Sequence, residues 1–265
     1  MIEALIVSFV AAQVFFFIIF LLSVALDKYS TVDIFWGASI IFNAAVLGVY
    51  FQSSLTESFL LVAVGVIAWG LRLSIYLGLR NGGKPEDFRY QDMRKTWGKH
   101  IKKNAYLKVF VTQGFFSFLM SLALVGSLQV EGQVPLYQII IAAIVFTIGI
   151  GFETLADHSL AQFKKDPKNK GQICDVNVWA LSRHPNYFGE IVVWWSYPLL
   201  LIFSGISFGF GLSLISALII TWLLVFVSGV PLLEKKYANH SAYQAYAKKT
   251  SKLIPWIKKR DPKVS

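Results

Sequence analysis

Leu5–Leu26 reads LIVSFVAAQVFFFIIFLLSVAL, an unbroken run without a single charged residue. A helix rises about 1.5 Å per residue, so such a run reaches across the roughly 30 Å hydrocarbon core of a bilayer. It has no basic stretch before it and no clear small-x-small cleavage site, so it reads as a span and not as a cleaved leader. Runs of the same character recur near 3–26, 33–52, 57–79, 106–128, 135–160, 187–204 and 207–231. Lipid offers no water to unpaired backbone groups, and long uninterrupted runs favour helices over barrel strands. The expectation is an all-α integral membrane protein with seven transmembrane helices.

Composition agrees with that reading. Hydrophobic residues make up 55% of the chain and charged residues 15%, where a soluble domain carries about 25% charged. No repeat, low-complexity segment or long linker divides the chain, so residues 1–265 read as one membrane-embedded domain. The net charge is +10, but Lys and Arg cluster where apolar runs end. That placement fits membrane topology better than nucleic-acid binding, and the expected partner is the lipid bilayer.

The same clusters orient the chain. Segments 52–57, 128–134 and 204–207 hold no Lys or Arg, whereas 80–105, 163–186 and 233–265 are rich in both. By the positive-inside rule the latter three face the cytoplasm, with the N-terminus out and the C-terminus in. Long polar loops build sites and short turns only join helices, so chemistry is expected on the cytoplasmic side.

Charged residues inside spans need a reason. Asp33 opens the second run and is readable as a helix N-cap. Arg72 sits about two turns from the end of the third, close enough to snorkel. Glu153 and Asp157 are one turn apart on one helix face, and Lys164 continues that face. Two like charges at this spacing are explained by an ion-pair network or by a polar ligand such as a ribose or an amide. The densest segment is Trp179-Ala-Leu-Ser-Arg-His-Pro-Asn-Tyr-Phe-Gly-Glu190. Pro185 suits a first helical position, which places His184 at the cap and puts Asn186 and Glu190 on one face. Exposed N–H groups there attract anions, and Arg183 can grip phosphate with two donors. The tail from Leu233 to Trp256, with Glu234 and Tyr237, is amphipathic and readable as an interfacial helix on anionic lipid.

Other chemistries lack their residues. One cysteine, Cys174, excludes an internal disulfide framework and a CxxC metal site. The four histidines are scattered, and there is no phosphate-binding glycine loop or serine triad. No metal is expected.

The run Leu181-Ser-Arg-His-Pro-Asn-Tyr-Phe-Gly-Glu190 resembles the C-terminal signature of the steroid 5α-reductase family, in particular a bacterial branch of unknown function. The resemblance extends from about Asp33 to the Leu253-Ile-Pro-Trp256 tail. A related Arg-His-Pro-x-Tyr pattern occurs in sterol C14 reductases and isoprenylcysteine carboxyl methyltransferases, so the motif identifies a superfamily and not a reaction. The resemblance implies a seven-helix bundle binding NADPH from the cytoplasmic side. It implies cofactor contacts by Arg72, Tyr76, Glu153, Asp157, Lys164, Asn186 and Glu190. Arg183, His184 and Tyr187 share that motif, and Glu234 and Tyr237 fit the cofactor-clamping segment across a small gap. On the substrate side Asp33 aligns with an acid that holds the substrate carbonyl. The accompanying tyrosine position falls at Trp69, whose indole donates a hydrogen bond but does not readily deliver a proton.

Three functions follow as expectations. The first is NADPH-dependent reduction of the C=C bond of a 3-oxo-Δ4 steroid or similar lipid enone, by a monomer in a bacterial inner membrane. The second is methyl transfer from S-adenosylmethionine to a prenylated or lipid-like acceptor. The third is a lipid-binding bundle without catalysis, which leaves the polar set around Arg183 unexplained.

Overall fold

The computed structural model describes residues 1–256; the end of the basic tail expected on the cytoplasmic side, 257–265, lies outside the described residues. Helices account for the secondary structure: α1 Ile2–Ala25, α2 Thr31–Ile34, α3 Trp36–Tyr50, α4 Glu57–Asn81, α5 Phe88–Trp97, α6 Ile101–Ala105 and α7 Val111–Ser127. They continue with α8 Leu136–Lys165, α9 Val178–Leu181, α10 Pro185–Leu201, α11 Phe208–Trp222, α12 Val230–Tyr237 and α13 Ser241–Lys249. No β-strand forms among the described residues.

Six helical stretches there are long and apolar enough to cross a membrane: Ile2–Ala25, Glu57–Asn81, Phe88–Ser127, Leu136–Lys165, Pro185–Ser204 and Phe208–Tyr237. The protein is an integral membrane protein. The second expected span, over 33–52, is α3, a shorter apolar helix. It starts later than expected because Asp33 belongs to the separate turn α2, and the chain leaves helical geometry at Phe35.

The polar stretch 80–105 is more ordered than a loop. Asp87 caps α5 by accepting from the Arg89 N–H at 3.0 Å. Helical turns then continue through α6 and the π-segment Tyr106–Phe110 into α7.

The chain forms two compact units, Met1–Gln138 with Leu200–Ser216, and Ile139–Leu199 with the chain from Ala217 on. In the first, α4 is delimited as its sequence asks. The Thr56 hydroxyl accepts from the Phe59 N–H at 3.0 Å, with Glu57 in the first turn and Arg80 in the last. α3 and α4 approach so closely that a Cβ on Gly37 would lie 2.5 Å from the Gly70 carbonyl oxygen. Buried polar pairs add to that packing: the Ser8 hydroxyl donates to Asn43 at 2.9 Å, and the Ser39 and Ser117 hydroxyls lie 2.8 Å apart. Small residues and short hydrogen bonds between helices are how apolar spans associate where lipid gives no hydrophobic drive.

In the second unit, α8 and α10 meet at Gly149 and Gly189. A Cβ on Gly149 would fall 2.7 Å from the Gly189 carbonyl oxygen, and one on Gly189 would fall 2.7 Å from the Glu153 N–H nitrogen. One turn away on α8, Phe152 packs edge-on against Phe188, with ring centroids 5.1 Å apart. Two glycines therefore decide how near the acidic face of α8 stands to the start of α10.

Candidate active site at the start of α10

The segment Ser182-Arg183-His184 is built by its partners. Ser182 is extended, and its hydroxyl accepts from the His184 N–H at 3.1 Å while donating to the Leu253 carbonyl at 2.7 Å. Pro185 then opens α10, needing no N–H partner at that position. The C-terminal chain lies alongside. The Arg183 N–H donates to the Ser251 carbonyl at 2.8 Å, and the Trp256 N–H donates to the Leu181 carbonyl at 3.1 Å. Ser182 and Ser251 form an isolated parallel bridge. From α13, the Tyr246 hydroxyl donates to the carbonyls of Trp179 and Ser182. The Trp179 indole N–H in turn donates to the Ala156 carbonyl on α8 at 2.9 Å.

Glu234 on α12 gathers the charged groups. Its Oε2 accepts from Arg183 Nη1 at 2.9 Å, and its Oε1 lies 3.0 Å from His184 Nε2 and accepts from the Tyr243 hydroxyl at 2.9 Å. Burial pushes the His184 imidazole below its ordinary range, against the upward pull of Glu234. The ring is therefore neutral at pH 7. A carboxylate oxygen facing Nε2 requires the proton there, which leaves Nδ1 an acceptor. Nδ1 is buried with no hydrogen-bond partner among the described residues, and so is Arg183 Nε. The Tyr187 ring stacks on His184, with centroids 5.6 Å apart and planes 7° apart.

The other expected residues of this unit fall nearby in the chain's order. Glu153 and Asp157 are both buried on α8, and Glu153 packs where α8 meets Gly189. Asn186, Tyr187 and Glu190 are half-buried in the first turns of α10. Lys164 is exposed in the last turn of α8. Tyr237 stacks on Tyr243, with centroids 5.3 Å apart.

In the first unit, Trp69 is fully buried in α4. Arg72 and Arg80 both lie over the Tyr76 ring, 5.5 and 5.3 Å from its centroid. Asp33 accepts from Arg89 Nη2 and from the Tyr90 hydroxyl, each at 2.8 Å. Arg94, from the same helix, is held by Glu86 and Asp27. Two arginines of the basic 80–105 stretch therefore spend their charge on neighbouring acids.

Sequence reasoning gave no site role to Tyr90, and it read Tyr243, Tyr246 and the Leu253–Trp256 end only as part of the amphipathic tail. The usable signal was the spacing of Tyr243 and Tyr246, three apart on one face of a helix.

Residues 19–250 match the family described as "Protein of unknown function (DUF1295)". The chain belongs to that family. Its match covers the Asp33 turn, the acidic face of α8, the Arg183–Glu190 motif and the Glu234 helix, and stops just before the segment 251–256 that lies along the motif. No curated protein matches the chain, and no solved structure does.

Proposed function

We propose that this member of the DUF1295 family is an NADPH-dependent reductase of the C=C bond of a 3-oxo-Δ4 steroid or a similar lipid enone. We also propose seven spans, counting α3, with the N-terminus out and the site on the cytoplasmic side of a bacterial inner membrane. Loop charges support that orientation. The observation that carries the reading is His184: a neutral imidazole whose Nδ1 is a buried acceptor without a partner among the described residues. It stands directly before a helix bearing Asn186 and Glu190. A carboxamide or ribose hydroxyl has the donor that Nδ1 lacks. The orphaned Arg183 Nε and the opening turn of α10 suit an anionic group.

The residues present therefore fit a nicotinamide dinucleotide. Arg183 would hold a phosphate, Asn186 and Glu190 would give and take hydrogen bonds with the amide or ribose, and Glu153 and Asp157 would close the polar wall. Lys164, Tyr187, Glu234 and Tyr237 complete the proposed contacts and supports. NADPH, when bound, supplies the hydride that the enone β-carbon accepts. The pair of electrons displaced from the C=C bond moves toward the carbonyl oxygen, and donors aimed there stabilise that charge. A proton on the α-carbon completes the reduction.

That proton is drawn from solvent.

The test is binding by the purified, detergent-solubilised protein, measured for NADPH and for S-adenosylmethionine in parallel. The reading expects NADPH to bind and Glu190→Gln to weaken it. Binding of S-adenosylmethionine alone would replace the reductase with a methyltransferase.

A further inference from the structure

The segment that straps the Arg183 motif carries a second face. Between Ser251 and Trp256 the chain is not helical, and exposure alternates residue by residue. Ser251, Leu253 and Pro255 are half-buried, whereas Lys252, Ile254 and Trp256 are exposed. The backbone of Ser251, Leu253 and Trp256 holds the motif, while the exposed side chains are a lysine, an isoleucine that is 65% exposed and a tryptophan that is 70% exposed. Lys249, exposed at the end of α13, adds charge beside them. Two large apolar side chains left open next to cations are unusual for a surface that meets only water.

The level of this face follows from its hydrogen bonds. The Trp256 N–H bonds to the Leu181 carbonyl, and Leu181 stands four residues before Pro185, where the span Pro185–Ser204 begins. The span Phe208–Tyr237 ends beside Glu234, which binds Arg183 and His184. Both spans thus end at the strap, so Ile254 and Trp256 lie at the membrane–water boundary. Tryptophan favours that depth, and lysines there are drawn to anionic headgroups.

We propose that Lys249, Lys252, Ile254 and Trp256 form a docking surface for anionic phospholipid, through which the bilayer holds the strap against Ser182 and Arg183. Ile254 and Trp256 enter the headgroup–acyl boundary, and the two lysines pair with lipid phosphates. The same backbone hydrogen bonds that fix Arg183 then depend on the lipid surface. This holds whatever reaction the site performs.

The test uses the full chain in nanodiscs of phosphatidylcholine alone or with phosphatidylglycerol, carrying a nitroxide on Ile254→Cys. The native Cys174 is buried, and Gln244→Cys, on an exposed position of α13, serves as the control site. Anionic discs are expected to shift the 254 label from accessibility to a water-soluble nickel relaxer toward accessibility to oxygen, and to leave the 244 label unchanged. Lys249→Gln and Lys252→Gln should each lower the seated-to-unseated ratio roughly fivefold. Equal nickel accessibility in both kinds of disc would overturn the proposal. So would protection that is already complete in detergent, which would mean that protein and not lipid covers the strap.

Discussion

His184 Nε2 lies 3.0 Å from Glu234 Oε1, across fifty residues of chain. The contact joins the residue directly before α10 to α12, and Arg183 and Tyr243 converge on the same carboxylate. One side chain thus sets the position of two motif residues. Glu234→Gln keeps the shape but removes the charge, leaving a largely buried guanidinium without its counter-charge. Thermal unfolding in detergent should show a loss of about 1–3 kcal/mol. NADPH affinity should fall with it, whereas Glu234→Asp should restore part of both.

Protonation of His184 opposes folding. Burial lowers its pKa, with Arg183 and Lys252 pushing the same way and Glu234 against. The folded state therefore binds the proton less readily than the unfolded chain, whose histidine titrates at about 6.5. The stabilisation is fully present above that pH and is lost as pH falls through it toward the lower folded value. Melting temperature should decline on acidification across this window, and the decline should be shallower in His184→Gln. An identical slope in both proteins would show that other groups set the acid sensitivity.

The crossing of α8 and α10 leaves no room for a methyl group. A Cβ on Gly189 would lie 2.6 Å from the Gly149 carbonyl oxygen, whereas one on Gly211 would meet nothing within 4 Å. Gly189→Ala should cost about 1–3 kcal/mol by forcing the helices apart, with Gly211→Ala as a near-silent control. Because Glu153 packs at the crossing, Gly189→Ala should also weaken cofactor binding. Differential scanning and a binding titration on the same samples check both.

Tyr246 ties α13 to the motif through two carbonyls. Tyr246→Phe keeps the ring and removes both bonds, and should cost about 1–3 kcal/mol. Hydrogen exchange localises the effect: the Arg183 amide, bonded to Ser251, should exchange faster, and amides in the middle of α4 should not change.

The spans were legible because their apolar runs are long and free of charge, as in Leu5–Leu26. The Arg183–Glu190 motif was legible because Pro185 fixes where its helix starts. Asp33 was harder to place: hydropathy extends the second run to it, but its hydrogen bonds to Arg89 and Tyr90 fix it in a turn ahead of α3. No local pattern marks a partner 56 residues away. The convergence on Glu234 is hidden for the same reason, since α12 and α13 carry it to Arg183 only through the fold. The order within 80–105 was obscured by its charges, several of which are spent inside the segment or on the Asp27–Asp33 turn.

One measurement tests the proposed mechanism as a whole. The purified protein is given NADPH deuterated at the transferable position together with testosterone or progesterone, and the product is analysed by mass spectrometry and NMR. The account predicts enone-dependent loss of NADPH absorbance, with one deuterium on the β-carbon and a solvent-derived hydrogen on the α-carbon. Enone reduction without deuterium at the β-carbon, or no enone-dependent loss of NADPH absorbance, would contradict it.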